Sequence, residues 1–565
     1  MKSTLKRILF LQLPQKDNDV KGPAENEKLA SVYLRYSIQR AGLNKYFTSI
    51  TPDPNIDNLD NKHLAEFILK SRPDIIAATL YLWNIERTIR ILSAVKRALP
   101  SVTIIAGGPE IARNHPFLFK SRIVDIAVTG EGEPVFPAIV KAILGRKRTN
   151  YSNVAWRTGN SLKWGSNPPP VESLINILPP PGHKSNRPDK NGIAYIESTR
   201  GCPMNCAFCC YNQRRKTVGF LPSENVVERV KILGKRGAKE IRFIDPTFNS
   251  HPEFDNLIRM LAKINCSIPF FAELRPDTVT AKQARLLAKA GYRNIEAGIQ
   301  STNPKVLTLI SRNVKLPAAL TGIKLLSKHG IRLTLDIMCG LPGQTLQDVK
   351  SSLIAMLKIK NANVQFLHTL LLPGTSLRDN SKHFGLKSLS LPPYRVTATR
   401  YMNKEDLAGV DEIASKLTGR DMDNRTSRFV GFHLPDLFEE KISISISNGR
   451  IPVIIPGRQN RRAIIIKGCN IFGKSGMVEK IIETAIRTEP DNLWQFVLNP
   501  ETEEPLDLID RLTKTIDHFP KHVLDRSISN SQRTARRVLI LLNHKRKYDS
   551  SWVRAAADLL SSLFY

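Results

Sequence analysis

The chain has 565 residues, 41% of them hydrophobic, which suits about three or four packed domains. It carries 84 Lys and Arg against 51 Asp and Glu, a net charge of +33, and that raises nucleic acid as a partner. Seven cysteines are too few, and odd in number, for a disulfide scaffold, so a reducing, cytoplasmic setting is expected; no run reaches the roughly 18–20 apolar residues that span a bilayer.

Residues 1–145 read as alternating strands and helices. KRILFLQL (6–13), PDIIAATLYL (73–82), VTIIAGGPE (102–110) and DIAVTGEGEPVF (125–136) are strand-like runs. NEKLASVYLRYSIQRAG (26–42) and NIERTIRILSAVKRALP (84–100) have helical spacing. Continuous apolar strands between amphipathic helices predict a doubly wound parallel sheet, with ligands at the carboxyl ends of its strands. Residues 146–190 predict a linker: a hairpin turning at Gly159-Asn160, then proline-rich PPP (168–170) and LPPPG (178–182).

From residue 191 to 400 the alternation resumes. Strands are expected at GIAYIES (192–198), EIRFIDP (240–246), IPFFAEL (268–274), NIEAGIQ (294–300), RLTLDIMCG (332–340) and NVQFLHTLLL (363–372). Six strand–helix units predict a parallel barrel, partial or full, with its site at the strand C-termini. One intervening helix is expected to start at a Ser223 cap and stop at Gly237. Residues 401–565 read as a small α+β domain, with a hairpin in KISISISNGRIPVIIP (441–456) around Asn448-Gly449 and a further strand at RAIIIKG (462–468).

The charge is unevenly spread: 59 Lys and Arg against 29 Asp and Glu in residues 1–400, but 25 against 22 in 401–565. There is no dense basic tail, only short clusters such as RKR (146–148) and RRK (214–216). Solvated helix faces account for the excess better than an RNA-binding surface.

The strongest chemical signal is ESTRGCPMNCAFCCYN, 197–212. Cys202, Cys206 and Cys209 stand at spacings of four and three, directly after a predicted strand. Three thiolates in one short loop suit a soft metal centre. Structural zinc is the alternative, but it normally takes four ligands, and no second pair of cysteines is present. A [4Fe–4S] cluster held by three cysteines leaves one iron open to a small chelating ligand.

This Cx3CxΦC pattern, with Phe208 before the third cysteine, resembles the radical SAM superfamily. The resemblance implies that Cys202, Cys206 and Cys209 hold the cluster, that its open iron binds S-adenosylmethionine, and that Phe208 packs beside the adenine. FIDPTFN (243–249), ELRPD (273–277), EAGIQS (296–301), CGLPGQT (339–345) and LLLPGT (370–375) match further family segments in order. They imply Asp245, Arg275, Gln300 and Ser301 as contacts to S-adenosylmethionine. Cys210, Cys266 and Cys339 are read as packing residues.

The N-terminal region resembles the cobalamin-binding domain common in that superfamily, on TLYLWN (79–84), GGPE (107–110) and TGEGE (129–133). Thr79, Gly107, Gly108 and Glu131 are then the residues expected at the cofactor, the glycines admitting its nucleotide tail. Cobalamin mutases carry a cobalt-ligating histidine in a DxHxxG loop. Here DNDVKG (17–22) puts Asp19 in that place, so histidine ligation is not expected. Methylthiotransferases acting on tRNA carry three extra cysteines, and residues 1–190 contain none.

The resemblance thus implies a cobalamin-dependent radical SAM enzyme, methylating an unactivated carbon through a 5′-deoxyadenosyl radical and methylcobalamin. A cyclase, oxidation or rearrangement enzyme with the same cofactors is the alternative; an RNA-modifying protein and a cobalamin sensor are less favoured. A small-molecule or peptide substrate and a one-electron reductant such as flavodoxin or ferredoxin are the implied partners.

Overall fold

The computed structural model describes all residues except 1–4, 15–27, 53, 114, 116–121, 212–217, 265–266, 419–429, 434–438, 447–456, 527–534 and 563–565. The DNDVKG segment, the RRK cluster, Cys266 and the second half of the expected 441–456 hairpin lie outside the described residues.

The first sheet contains β1 (Lys6–Leu11), β2 (Phe47–Ile50), β3 (Ile75–Thr79), β4 (Thr103–Gly107), β5 (Ile126–Val128), β6 (Val154–Thr158) and β7 (Ser161–Trp164), in the order β2-β1-β3-β4-β5-β6-β7. Its first five members are parallel; β6 and β7 are antiparallel. Apolar residues on both faces of β1, β3 and β4 need covering, and two cores form. Helices Asn61–Lys70 and Ile85–Ala98 bury one face, and Leu29–Arg40 and Phe136–Leu144 the other. The hairpin expected at Gly159-Asn160 is present, but it extends this sheet rather than belonging to a free linker: Ile126 pairs with Trp156. The proline-rich remainder is strapped down by arginines. Arg40 bonds Asn176 O, Arg229 bonds Pro179 O, and Arg236 bonds the carbonyls of Gly182 and His183.

The central sheet has β8 (Ile193–Ile196), β11 (Glu240–Phe243), β12 (Phe270–Glu273), β13 (Tyr292–Gln300), β14 (Arg332–Cys339) and β15 (Ala362–His368), all parallel and in consecutive spatial order. Between β8 and β11, a short ribbon of β9 (Thr199–Arg200) and β10 (Gly219–Phe220) is antiparallel. The sheet is a six-stranded partial barrel. Its helices cover one face, where Ile295, Ala297 and Ile299 of β13 pack with Leu333, Leu335 and Ile337 of β14. The alternate residues therefore turn to the other face, which faces the barrel interior. On the helix side Phe243, Phe248, Phe270 and Tyr292 pack together with ring centroids 4.8–5.9 Å apart. Helix Ser223–Lys235 differs in its start from expectation: Ser223 lies inside it and binds Glu253 through both its N–H and its hydroxyl.

After β16 (Lys387–Ser388) and β17 (Val396–Ala398) comes the larger difference. The tail is not α+β. Strands β18 (Val430–Gly431), β19 (Glu440–Ser445), β20 (Arg461–Gly468), β21 (Leu493–Pro500) and β22 (Arg536–Leu541) form an all-parallel sheet, ordered β18-β22-β21-β20-β19. Six apolar or small residues at Ala463–Ile466, Phe496 and Val497 are buried on both faces, which demands helices on the sheet rather than a solvated side. β19 pairs in parallel with β20; the turn expected at Asn448-Gly449 and the run after it lie outside the described residues. No helix among the described residues is long and apolar enough to cross a membrane.

One close approach fixes the barrel wall. Gly322, in helix Leu316–Lys328, lies against the carbonyl of Pro276, and a Cβ built on it would fall within that carbonyl's own radius. Gly322→Ala must push the helix outward. It should lower unfolding free energy by about 1–3 kcal/mol, read by urea denaturation of the full chain.

Candidate functional site

The cysteine loop leaves the barrel between β9 and β10, whose pairing of Gly219 with Arg200 and Phe220 with Thr199 closes its base. Ala207 pins its middle, donating to Ile310 O at 2.8 Å and accepting from Leu377 N at 2.9 Å. Asp245, at the end of β11, holds its start. That carboxylate accepts from Ser198 N at 2.7 Å, Thr199 N at 2.8 Å and the Ser198 hydroxyl. It is completely buried, and burial pushes its carboxyl up to about 7. Both oxygens of Asp245, singled out in FIDPTFN, are thus taken up in supporting the start of the loop.

Cys206 is buried and Cys202, Cys209 and Cys210 are half-buried. Burial and the three neighbouring thiols push Cys209 up to about 12. A thiol so placed keeps its proton unless a cation displaces it. Arg312 directs Nη1 at Cys206 Sγ, 3.6 Å away, and Cys202 Sγ is 3.5 Å from the Thr247 hydroxyl. Crowded thiols beside a guanidinium fit a metal–sulfur centre with net negative charge. Among the described residues no three such side chains stand at the spacing of a single-ion site. Phe208 packs on the apolar group formed by Val306, Leu307, Ile310, Met338 and Leu341.

Deeper in the barrel, the structure gathers residues that the motifs did not single out. Glu296 of β13 and Asp336 of β14 are hydrogen-bonded to each other, and burial raises both carboxyls. Glu273, at the open end of β12, is raised by its surroundings and by Glu296 and Asp245. Asp336 is 7% exposed, with Oδ1 lacking a hydrogen-bond partner. Gln300 has a left-handed backbone (φ +69°) at a register shift of β13, and its buried Oε1 also lacks a partner. Open acceptors at the cysteine loop suit a ligand that carries hydroxyls and an ammonium group, as S-adenosylmethionine does. Gly298 makes the room, since a Cβ there would meet Gln300 Nε2 and Arg312 Nη2.

The other expected contacts are used within the protein. Ser301 is completely buried, and its hydroxyl accepts from Asn303 N at 3.1 Å. Arg275 is paired with Asp277, donates to Asn313 O and touches Met204 of the cysteine loop.

Facing the loop are the carboxyl ends of β3, β4 and β5. One cavity of about 520 Å³ is lined by Thr79, Gly107, Gly108 and Glu131 from the first sheet and by Gly201, Cys210 and Tyr211 from the loop. Small apolar residues, Ala77 and Ala78, and larger ones, Ile105 and Phe136, form its floor. A Cβ on Gly107 would meet nothing within 4 Å, so it would project into open space and fill part of the cradle. Gly108 serves another purpose: its φ is +100°, and a Cβ would lie 2.6 Å from Leu80 O, so the turn itself requires glycine. The residues fit the narrow nucleotide arm of a cobalamin. Cys210, read as packing, instead lines the space between the two sheets.

The buried pair gives a test. Because folding raises the Asp336 carboxyl, its favourable contribution is complete below the unfolded value near 4 and is lost as pH rises through the folded value. Asp336→Asn should therefore stabilise the cofactor-free protein at pH 8, by about 1–2 kcal/mol, and change little at pH 4. Urea titrations at the two pH values check this.

Residues 196–354 match the family described as the radical SAM superfamily, and residues 23–140 match the B12 binding domain. An uncharacterized methyltransferase of Pyrococcus horikoshii is 26% identical, over 57% of this chain and 72% of its own length. The cobalamin-dependent radical SAM methyltransferase TokK of Streptomyces tokunonensis is 22% identical, over 60% of this chain and 53% of its own length. The chain thus spans only about half of TokK. Among solved structures, the radical S-adenosylmethionine methyltransferase TsrM of Kitasatospora setae, with cobalamin and a [4Fe–4S] cluster bound, superposes with a TM-score of 0.56 at 17% identity, covering 69% of this chain and 82% of TsrM. With their strand ends facing one cavity, this chain thus carries a radical SAM domain and a B12-binding domain side by side.

Proposed function

We propose that the chain is a cobalamin-dependent radical SAM methyltransferase acting on an unactivated carbon of a small-molecule or peptide substrate. The observation that carries this reading is the shared cavity, where Thr79, Gly107, Gly108 and Glu131 stand across from Cys210 and Tyr211. When bound, the [4Fe–4S] cluster and S-adenosylmethionine supply a 5′-deoxyadenosyl radical for hydrogen abstraction, and cobalamin supplies the methyl group. TokK and TsrM are both methyltransferases by name, which supports methyl transfer over ring closure or oxidation.

The roles of this chain's residues follow from their positions. Cys202, Cys206 and Cys209 hold the cluster, with Arg312 beside Cys206 favouring its anionic form. Gln300 and Asp336 offer open acceptors to S-adenosylmethionine, and Phe208 forms the apolar wall next to the loop. Tyr81 and Trp83, stacked at 4.4 Å, together with Leu372 and Pro373 form apolar walls. Such walls keep water from a reactive carbon centre. A flavodoxin or ferredoxin supplies electrons one at a time. Nucleic acid is not favoured as substrate, because the cavity where the two cofactor sites meet is lined by four glutamates and one arginine rather than by a basic surface.

Anaerobic reconstitution with iron, sulfide and cobalamin, followed by S-adenosylmethionine and a reductant, tests the reading by mass spectrometry. Wild type should yield both 5′-deoxyadenosine and S-adenosylhomocysteine, and Cys206→Ala should abolish the deoxyadenosine. Deoxyadenosine without S-adenosylhomocysteine would favour the cyclase or oxidation chemistry instead.

A further inference from the structure

A second cavity, of about 260 Å³, lies where the C-terminal domain docks on the first sheet. The docking is intimate. Asp60 N donates to Arg458 O and Asn460 N to Asn58 O, Arg90 pairs with Asp491 at 2.6 Å, and Arg526 pairs with Glu86. Those two ion pairs account for every carboxylate on the cavity wall, whereas Arg87, Arg487, Lys521 and Arg536 also line it. Among the described residues none of these four makes a hydrogen bond or ion pair to a carboxylate. Arg87 donates to Asn61 and Leu59 O, Arg536 to Pro490 O and Pro520 O, and Arg487 lies over the Phe519 ring.

Three donors on this wall are buried with no partner: Trp83 Nε1, Arg87 Nη1 and Arg536 Nε. Arg536 is 93% buried, being 7% exposed. Burial is the leading influence on both Arg87 and Arg536 and lowers their pKa values. Nearby acids oppose it: Asp491, on the wall itself, acts on both, with Asp57, Glu489 and Asp60 near Arg87 and Asp525 near Arg536. A buried donor without an acceptor is costly, and a buried guanidinium more so. Water in the cavity could accept the hydrogen bonds but would leave the cations only partly compensated, since burial outweighs those acids at both. An oxyanion satisfies both needs.

We infer that this cavity is a binding site for a phosphate group, free or carried on a small metabolite. Donors on three different side chains, from two domains, suit a tetrahedral oxyanion with several acceptor oxygens better than the two-oxygen edge of a carboxylate. Its volume holds a phosphate and a short ester. Trp83 also lines the large cofactor cavity, so the bound group sits directly behind that cavity's wall and joins the C-terminal domain to it.

Calorimetric titration of the full chain tests this without any cofactor or turnover. The probes are inorganic phosphate and glycerol 3-phosphate, with sodium chloride and acetate at equal ionic strength as controls. Saturable binding of either phosphate is expected, weakened at least about tenfold in Arg87→Gln, and chloride and acetate should not saturate. Tighter binding of the ester would identify a phosphorylated metabolite as the ligand, and equal binding the free ion. Should Arg87→Gln fail to fold, Arg487→Gln, at an exposed position, should weaken binding at least threefold. No saturation by either phosphate, affinity untouched by the variants, or equal binding of acetate would overturn the inference. Because no radical chemistry is read, these outcomes are independent of the methyltransferase assignment.

Discussion

Arg200 is the joint on which the arrangement depends. It stands immediately before the cysteine loop, grips Glu197 of the barrel through Nε at 2.7 Å and Nη2 at 2.9 Å, and reaches Glu133 of the first sheet at 3.1 Å. Burial opposes its charge, and the two carboxylates more than offset that, holding the guanidinium firmly protonated. A planar, bidentate cation is suited to a joint that must fix angle as well as distance. Losing one partner of a buried pair leaves an uncompensated charge, a cost of about 3–5 kcal/mol. The register between cysteine loop and cobalamin-type strand ends is therefore held by electrostatics and not by apolar contact alone.

A second buried network braces the same interface from the other side. His115 lies 2.9 Å from the Tyr394 hydroxyl and 3.1 Å from Glu110, and Tyr394 donates to Glu110 at 2.7 Å. Glu110 ends the GGPE turn that shapes the cofactor cradle, while Tyr394 follows the last barrel strand. Polar networks of this kind specify one docking geometry, because a shifted interface would leave their members unsatisfied. Two parallel sheets that each place ligands at their strand ends are thus turned toward each other. The chemistry proposed for the chain needs that opposition, since both cofactors must reach one substrate carbon.

Inside the barrel the same economy of position recurs. β13 sends Ile295, Ala297 and Ile299 to the helices and Glu296, Gly298 and Gln300 to the interior. Three adjacent interior positions thus supply an acid, the space for a neighbour's guanidinium, and an open carboxamide. The positive φ at Gln300 is local strain of the sort that collects at binding sites.

Much of this was legible in the sequence. Strand-length apolar runs and helical spacing determined β1, β3, β4 and β5 of the first sheet and the six barrel strands, because each depends on periodicities of two and 3.6 that neighbouring residues carry themselves. The cysteine spacing determined the cluster-type loop for the same local reason. Tertiary structure alone decided which polar atoms are left open: Asp245 and Ser301 match family segments yet are buried with partners inside the protein, whereas Glu296, Asp336 and Arg312 come together only when β13, β14 and the turn at 310–313 meet. It also decided that the C-terminal domain is parallel. Alternation along Ile442–Ile444 is local, but the parallel pairing of β19 with β20 and the burial of both faces of the sheet are set by segments far apart in the chain. Contacts between distant segments follow from packing the whole chain, and no short window of sequence contains them.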